Sequence, residues 1–496
     1  MRPTALALCG LSLPVFLIGQ SAPEPAFHAQ VPRAWNDVEM ESYELPLSYG
    51  QRAQYMSAAE YYAIPARTIY RAYPIYRPDK EPHGYLNWLR TQRPTIVFDP
   101  AKLKTEAAWV EAGETVFDAP NVVADLNELP VRDPKWFREA NIPVTNDGIV
   151  PWISYVVRKR GVVEIGFDSC GMCHTRVLPD GSVVRGAQGN FPWHRTERYR
   201  YQKIVRGHRK LEEEVLAEYQ KEYAAPWASQ PELLSRDADA LMGQVGLIPP
   251  GVFIRHGTRP AYPVRIPDLI GIRDRRYLDS TGLGQHRSIE DLMRYAITNQ
   301  TTDRIAHFNG FQPWPPAEWL NVTGGRYSDE QLYALALYIY SLKPPPNPNR
   351  FDVVAMRGQK IFDREGCASC HTPPLYTNNK LTPAQGFSVP DDHKKRYDIL
   401  PVVVGTDPKS TLTTRRGTGY YKVPSLKGVW YRGPFEHNGS VATLEDWFNP
   451  ARLREDYVPT GFKGYGVGMR AVKGHEFGLH LSATDKQALI AFLRTL

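Results

Sequence analysis

The sequence predicts a mainly α-helical tandem repeat: two modules of like layout behind an irregular N-terminal stretch. Three observations predict it. The motif Cys-x-x-Cys-His occurs twice, ending in His174 and in His371. The segments around each copy match one another in order. A Pro-rich stretch, "KPPPNPNR" at 343–350, separates the two sets.

At the N-terminus, Arg2 precedes an apolar run from Ala5 to Ile18, followed by small and polar residues. That order is a secretory signal with cleavage near Ser21 or Ala22, so residues 1–22 read as a signal peptide. The run falls short of the ~20 residues needed to cross a bilayer, and no membrane span is expected after cleavage. Processing removes Cys9; the four cysteines left all belong to the two motifs. Residues 23–100, rich in Tyr and Pro, have no counterpart downstream and no functional signature.

Module one is assigned to 101–345 and module two to 350–496. "GETVFD" at 113–118 matches "GQKIFD" at 358–363, each ending a short helix ahead of a Cys-x-x-Cys-His. Beyond the motifs, "IPDLIGIRDRRYLDSTG" at 266–282 aligns without gaps on "VPSLKGVWYRGPFEHNG" at 423–439, and "SIED" at 288–291 aligns on "TLED" at 443–446. Each module closes with a helix. Ser328 with Gln331, and Ser482 with Asp485, have N-cap spacing. Leu332, Leu335, Ala336, Ile339 and Leu342 in one helix, and Leu489, Ile490, Leu493 and Leu496 in the other, recur at helical period. These closing helices should pack as core against the helix ahead of each motif. The Pro-rich stretch cannot continue a helix and should be extended. Module one carries two insertions, between Asp118 and Cys170 and between Cys173 and Pro267; the second contains the charged helical run "KIVRGHRKLEEEVLAEYQKEY".

The composition is that of a folded chain, with 42% hydrophobic and 11% aromatic residues. A mean hydropathy of −0.43 excludes a multispanning membrane protein. The net charge of +7 is spread along the chain with no basic stripe, which gives no support to nucleic-acid binding.

Three chemistries use Cys-x-x-Cys. A structural zinc site needs a second cysteine pair roughly 15–20 residues away, whereas these pairs lie in different modules. A thioredoxin-like disulfide needs a βαβ setting, which is not seen. Covalent haem needs two thiols along one porphyrin edge and an imidazole directly behind the second, and both motifs supply that set. The reading is therefore two covalently bound c-type haems, attached at Cys170 and Cys173 and at Cys367 and Cys370.

The repeat, with "VPSLKGVWYRGPFEHNGSVATLEDW" and the closing "GHEFGLHLSATDKQALIAFLRTL", resembles the bacterial dihaem cytochrome c peroxidase superfamily, including MauG-type enzymes and the rubber oxygenase RoxA. The likeness runs from about residue 101 to 496 and is most specific in module two. It implies two tandem, mainly α cytochrome c-type haem domains, with His174 and His371 as proximal iron ligands. It places the sixth ligand of the second haem just before the last helix, at His475 or alternatively at Met469; methionine would raise the reduction potential. His437, in "FEHNG", matches a family histidine near the haem, expected to make a structural hydrogen bond. For the first haem the position aligned with His475 is Asn321, a poor iron ligand. His194 is the nearest later histidine that would close that iron reversibly, against a plainer role facing solvent or a propionate.

The chain also departs from the family. Leu278 and Leu292 stand where peroxidases of this group carry a Trp and a Gln, so no catalytic residue is assigned. The resemblance implies a periplasmic oxidoreductase that reduces hydrogen peroxide, with electrons passing from the C-terminal to the N-terminal haem. Its partner would be a small donor, a cytochrome c or a copper protein. A plain electron-transfer cytochrome and a RoxA-like dioxygen-activating enzyme are the alternatives. Calcium between the modules is a family feature, for which the oxygen-rich segments "TNNKLTPAQG" and "VPDDH" are the candidates, although such strings are ordinarily solvated loops.

Overall fold

Two helix pairs of the same geometry organise the chain. In this computed structural model the described residues are 27, 29–228, 236–255, 257–314, 324–464 and 473–496. Helix α1 (Glu106–Asp118) packs against α2 (Asp329–Ser341), and α3 (Val353–Arg364) against α4 (Ala483–Arg494). Each start is fixed by a side chain that accepts a free backbone N–H of the first turn: Thr105, Ser328, Asp352 and Ser482 serve the four helices in turn. Trp109, Val116 and Phe117 meet Leu332, Leu335 and Ile339 in one core, while Ile361 and Phe362 meet Leu489 and Leu493 in another.

The crossings are close because glycine sits at both. A Cβ built on Gly113 would lie 2.7 Å from Cβ of Tyr338, and one on Gly358 would lie 2.7 Å from Cβ of Phe492. Backbone meets backbone there, which is the packing reason for the glycine in "GETVFD" and "GQKIFD".

Helix outweighs strand, 36% against 14%, yet the first insertion builds a sheet that helical periodicity did not predict. Strands β1 (Ala72–Tyr76), β2 (Val122–Ala124), β3 (Ile149–Lys159) and β4 (Val162–Phe167) form an antiparallel sheet in the order β1-β3-β4-β2. Gly161, at φ +86°, permits the tight turn between β3 and β4. The stretch before residue 101, expected to be irregular, supplies β1 through the alternation of buried Tyr73 and Ile75 with exposed neighbours. It also sends Trp35, Tyr43, Tyr61 and Ile69 into the core of α1 and α2. Its aromatic residues are core, which composition alone did not reveal.

Residues 343–352 form neither helix nor strand, and Asn347 Nδ2 donates to the Arg494 carbonyl at 2.8 Å, tying the connector to the end of α4. Buried hydrogen bonds join the two halves. Gln188 Nε2 donates to the Gly251 and Pro434 carbonyls at 3.0 and 3.1 Å, and its Oε1 accepts from the Gly433 N–H at 3.2 Å. Lys422 Nζ donates to the carbonyls of Tyr277 and Leu278 at 3.1 and 3.0 Å. Among the described residues no helix is long and apolar enough to cross a membrane. The expected signal peptide, Met469 and Asn321 lie outside the described residues.

Candidate functional site

The two Cys-x-x-Cys-His motifs follow the ends of α1 and α3 with the same histidine geometry. Nδ1 of His174 lies 3.0 Å from the Pro267 carbonyl, and Nδ1 of His371 lies 3.1 Å from the Pro424 carbonyl and 3.2 Å from that of Tyr376. A carbonyl only accepts, so Nδ1 carries the proton and Nε2 is left with a lone pair for a metal. Pro267 and Pro424 are the aligned prolines of "IPDL" and "VPSL". The equivalence extends to Arg275 and Arg432, aligned in the same segments: Arg275 donates to the Asp268 carbonyl, and Arg432 Nη2 donates to the Ser425 carbonyl at 2.8 Å. Burial and the adjacent Arg255 hold His174 down to about 4; burial and His475 do the same for His371. Both imidazoles are neutral at physiological pH, the ligating form. All four cysteines are free thiols, and burial pushes Cys173 and Cys367 up to about 11.

Beside the second motif is a cavity of about 310 Å³ lined by Cys367, Cys370 and His371, with His475 also in its wall. Leu426, Val429, Phe435, Leu444, Phe448 and Leu489 make it largely apolar. His475 is held by edge contacts with Trp447 and Phe477, at 5.2 and 5.4 Å between centroids, and its backbone carbonyl accepts from Arg452. Its Nδ1 is buried without a hydrogen-bond partner. His437 Nδ1 is hydrogen-bonded with Thr406 Oγ1 at 3.0 Å, and its ring packs tilted against Tyr421 at 4.8 Å between centroids.

Sequence reasoning missed the cations of this cavity. Arg265, Lys422 and Arg432 all reach its wall. Burial and the neighbouring Arg275 push Lys422 down to about 7, and burial with Arg432 pushes Arg265 down to about 10. Arg265 Nε has no hydrogen-bond partner. Buried cations short of anions are costly unless a bound anion completes them. An apolar slot with two thiols and a neutral imidazole, next to such cations, fits a haem: Cys367, Cys370 and His371 would hold it, and Arg265, Lys422 and Arg432 would neutralise its carboxylates.

The first motif has the same donor set but a different lining. Arg255 Nη1 lies 3.8 Å from Cys173 Sγ, and Gln300 Nε2 lies 3.6 Å from Cys170 Sγ; the two side chains are hydrogen-bonded to each other. The residues fit a haem in their ligating atoms, and its attachment there would displace Arg255 and Gln300 from the sulfurs. An adjoining cavity of about 480 Å³ is lined by Arg255, Gln300, Glu197, Glu218, Glu222 and Asp303 among others. The helix Arg209–Glu222, foreseen in the second insertion, supplies Glu218 and Glu222. Burial, with Asp303 and Glu218 alongside, raises the Glu222 carboxyl well above the usual range. Arg415 of module two pairs with Asp303 and donates to the Glu222 carbonyl at 2.6 Å.

His194 has both ring nitrogens engaged. Nδ1 faces Glu197 Oε2 at 2.9 Å, and Nε2 accepts the Ile254 N–H at 3.2 Å. Iron ligation would require it to release the backbone. Leu278 and Leu292 are buried core. In the candidate calcium segments Thr377 Oγ1 donates to the Val423 carbonyl, and Asp391 forms an exposed ion pair with Lys394. Among the described residues no cluster of three or more His, Cys, Asp or Glu side chains is arranged for a metal ion.

Comparison with known proteins points the same way. Residues 419–458 match the family described as RoxA-like, cytochrome c-like. The chain is 28% identical over 113 residues to cytochrome-c peroxidase IdrP1 of Denitromonas iodatirespirans, covering 18% of this chain and 29% of that protein. It is 25% identical over 161 residues to cytochrome-c peroxidase IdrP2 of the same organism, covering 28% and 38% respectively. The chain thus spans about a third of the length of these relatives. A solved structure of hydrazine synthase from Kuenenia stuttgartiensis is 18% identical at a TM-score of 0.30, covering 57% of this chain and 87% of that one, too slight a likeness to bear on fold or function. Residues 419–458 are thus similar to part of a cytochrome c-like family, a likeness that supports haem c as the group this chain would bind. The family match and the two peroxidase relatives support a likeness to the cytochrome c peroxidase superfamily.

Proposed function

We propose that the chain is a periplasmic dihaem c-type oxidoreductase that reduces hydrogen peroxide at the N-terminal centre, using electrons taken from a small cytochrome c or copper protein at the C-terminal centre. One observation carries the reading. Two Cys-x-x-Cys-His sets, each with its histidine proton committed to an aligned proline carbonyl, make two imidazoles ready to bind iron. In this reading modules one and two, 101–345 and 350–496, each hold a haem c, whose iron would supply the redox chemistry.

The residues divide the work between two unlike centres. His371 and His475 line one apolar cavity, which favours a second centre ligated on both sides; Met469 is the alternative partner. Arg265, Lys422 and Arg432 would orient that group and neutralise its carboxylates. At the first centre Asn321 replaces the aligned histidine, and His194 is committed to Glu197 and Ile254. That leaves His174 as its one assigned iron ligand, the condition for binding a small molecule. Cleavage of an O–O bond is aided by a proton donor close to the leaving oxygen. In the first cavity burial, with Asp303 and Glu218 alongside, raises the Glu222 carboxyl, which favours it as a proton donor.

The resemblance to RoxA gives one further reading, dioxygen activation at the first centre, although the matched residues 419–458 lie in module two and do not bear on that centre. The experiment begins with exported protein. Its denatured mass should exceed the processed chain by two haems, and by one after Cys170→Ala/Cys173→Ala or Cys367→Ala/Cys370→Ala. Electron paramagnetic resonance should show one high-spin and one low-spin iron. Peroxide should oxidise a reduced donor protein in a reaction lost in the first of these double variants. Colourless protein would end the haem reading. Two low-spin irons without peroxide turnover would make the protein a carrier, and dioxygen uptake without peroxide turnover would select the RoxA-like reading.

A further inference from the structure

Between the two imidazoles runs a path of hydrogen bonds, backbone and one ion pair. His174 Nδ1 donates to the carbonyl of Pro267, whose neighbour in sequence is Asp268. Asp268 is 2% exposed. Its Oδ2 accepts from the Tyr431 hydroxyl at 3.0 Å and faces Arg432 Nε at 3.7 Å. Arg432 donates in turn to the Ser425 carbonyl, and Ser425 follows Pro424, the acceptor for His371. The aligned turns of the two modules therefore meet at one buried carboxylate and one buried phenol. Tyr431 is 4% exposed. Gly428, at φ +74°, leaves room for its ring, since a Cβ there would come within 2.6 Å of Tyr431 Cε1.

We infer that Tyr431 is a redox relay between the two centres, with Asp268 as the acceptor of its phenolic proton. This rests on the two-centre reading above. Oxidising a phenol that keeps its proton makes a radical cation, and this one lies near a cluster of cations: Arg432 faces Asp268, Arg275 donates to the Asp268 carbonyl, and Arg265 and Lys422 line the small adjoining cavity. Another positive charge in so buried a place is strongly disfavoured, so the proton must leave with the electron. Asp268 is already hydrogen-bonded to it. One electron passes from the phenol to the peroxide-oxidised haem of the first centre, and the proton crosses to Asp268 Oδ2. The products are a neutral phenoxyl radical and a neutral carboxyl. An electron from the reduced haem of the second centre, with return of the proton, restores both groups. Burial, together with the Asp268 charge, raises the phenol's own pKa, which keeps the resting tyrosine protonated. Leu278 cannot serve such a role, having no oxidisable group.

The test is freeze-quench electron paramagnetic resonance on holoprotein with both centres oxidised, mixed with one equivalent of hydrogen peroxide. The expected result is an organic radical whose hyperfine pattern changes when the tyrosines are ring-deuterated. It should be lost in Tyr431→Phe, which deletes one hydroxyl, and weakened in Asp268→Asn, which keeps the volume but takes no proton. Haem content and far-ultraviolet circular dichroism matching the parent establish that the variants are folded. Should Asp268→Asn fail that check, the deuterated parent and Tyr431→Phe decide. A radical that persists in Tyr431→Phe, or one insensitive to tyrosine deuteration and so seated on a residue such as Trp430, which packs edge-on at 5.1 Å, overturns the relay. A peroxide-induced change in haem absorption with no radical overturns the relay while leaving the reading above intact. No haem response to peroxide removes both.

Discussion

Replacing Gly358 by alanine separates close helix crossing from ordinary helix propensity, because the two act with opposite sign. In a helix whose glycine faced open space, alanine would stabilise by about 1 kcal/mol. Here the added Cβ would stand 2.7 Å from Cβ of Phe492 and 2.6 Å from the carbonyl carbon of Ala488, where ordinary contact begins at 3.4 Å. Neither neighbour is the free end of a flexible side chain, so α3 and α4 must move apart by roughly 1 Å along their contact. Overpacking of that kind costs about 1–3 kcal/mol beyond the propensity gain. For a cooperative unit of this size that corresponds to a fall in Tm of about 2–12 °C. Because α3 leads directly into Cys367, the shift should also perturb the absorption of the second centre and leave the first unchanged. Gly113→Ala should do the converse, since its Cβ meets Ala334 and Tyr338 in the same geometry. Thermal unfolding followed by far-ultraviolet circular dichroism and by visible absorption measures both effects. A rise in Tm in either variant, or a loss that does not follow the module, would refute the equivalence of the two crossings.

Two other perturbations probe what joins the halves. Lys422 is pushed down to about 7 from an ordinary lysine value of 10.5. Left without an anion, it would make stability rise with pH between about 7 and 10.5, because the unfolded chain binds the extra proton across that window, by up to about 5 kcal/mol. A propionate beside it abolishes the slope, so the holoprotein and its Lys422→Met variant should show the same pH dependence in urea unfolding; a slope present in the parent and missing in the variant refutes the anchoring. Gln188→Ala strands the Gly251 and Pro434 carbonyls and the Gly433 N–H, at about 1–3 kcal/mol for each group left unsatisfied. Denaturant unfolding should then split into two transitions, one per module, and a single unchanged transition would show that Gln188 does not couple them.

The repeat was legible because the features it rests on are local. A capped helix with apolar residues at helical period, a glycine at a crossing and a Cys-x-x-Cys-His each reveal themselves within about fifteen residues. The pairing of each histidine with a proline 53 or 93 positions away was not local; the ungapped match of "IPDL" with "VPSL" marked the two segments as equivalent without showing what their carbonyls accept. What stayed hidden were side chains whose character opposes their surroundings. Lys422, Arg265 and Arg432 have the look of surface residues, since cations are seldom buried without a partner, and only the fold shows them facing an apolar cavity. The aromatic residues before position 101 were unreadable for the opposite reason: they fill the core of α1 and α2 across long sequence separations, which no window along the chain reports.

The proposed inequality of the two centres rests on which atoms each cavity leaves uncommitted. Around the second motif the orphaned groups include His475 Nδ1, His437 Nε2, the Nε of Arg265 and Arg432 and one oxygen of Glu436, all buried in the wall of a largely apolar slot. Such groups are costly in a finished interior, and an iron porphyrin with two carboxylates is a ligand able to satisfy a nitrogen base and a cation together. Around the first motif the corresponding groups are already paired, His194 with Glu197 and Ile254, and Arg255 with Gln300. The carboxyls gathered there, with Glu222 among them, suit proton delivery better than enclosure. A centre saturated by the protein exchanges electrons with little rearrangement, while one with an unsaturated iron beside a protonated carboxyl can bind and protonate a small oxidant. Electron flow from the enclosed second centre towards the acid-lined first centre is the direction that this division of groups favours.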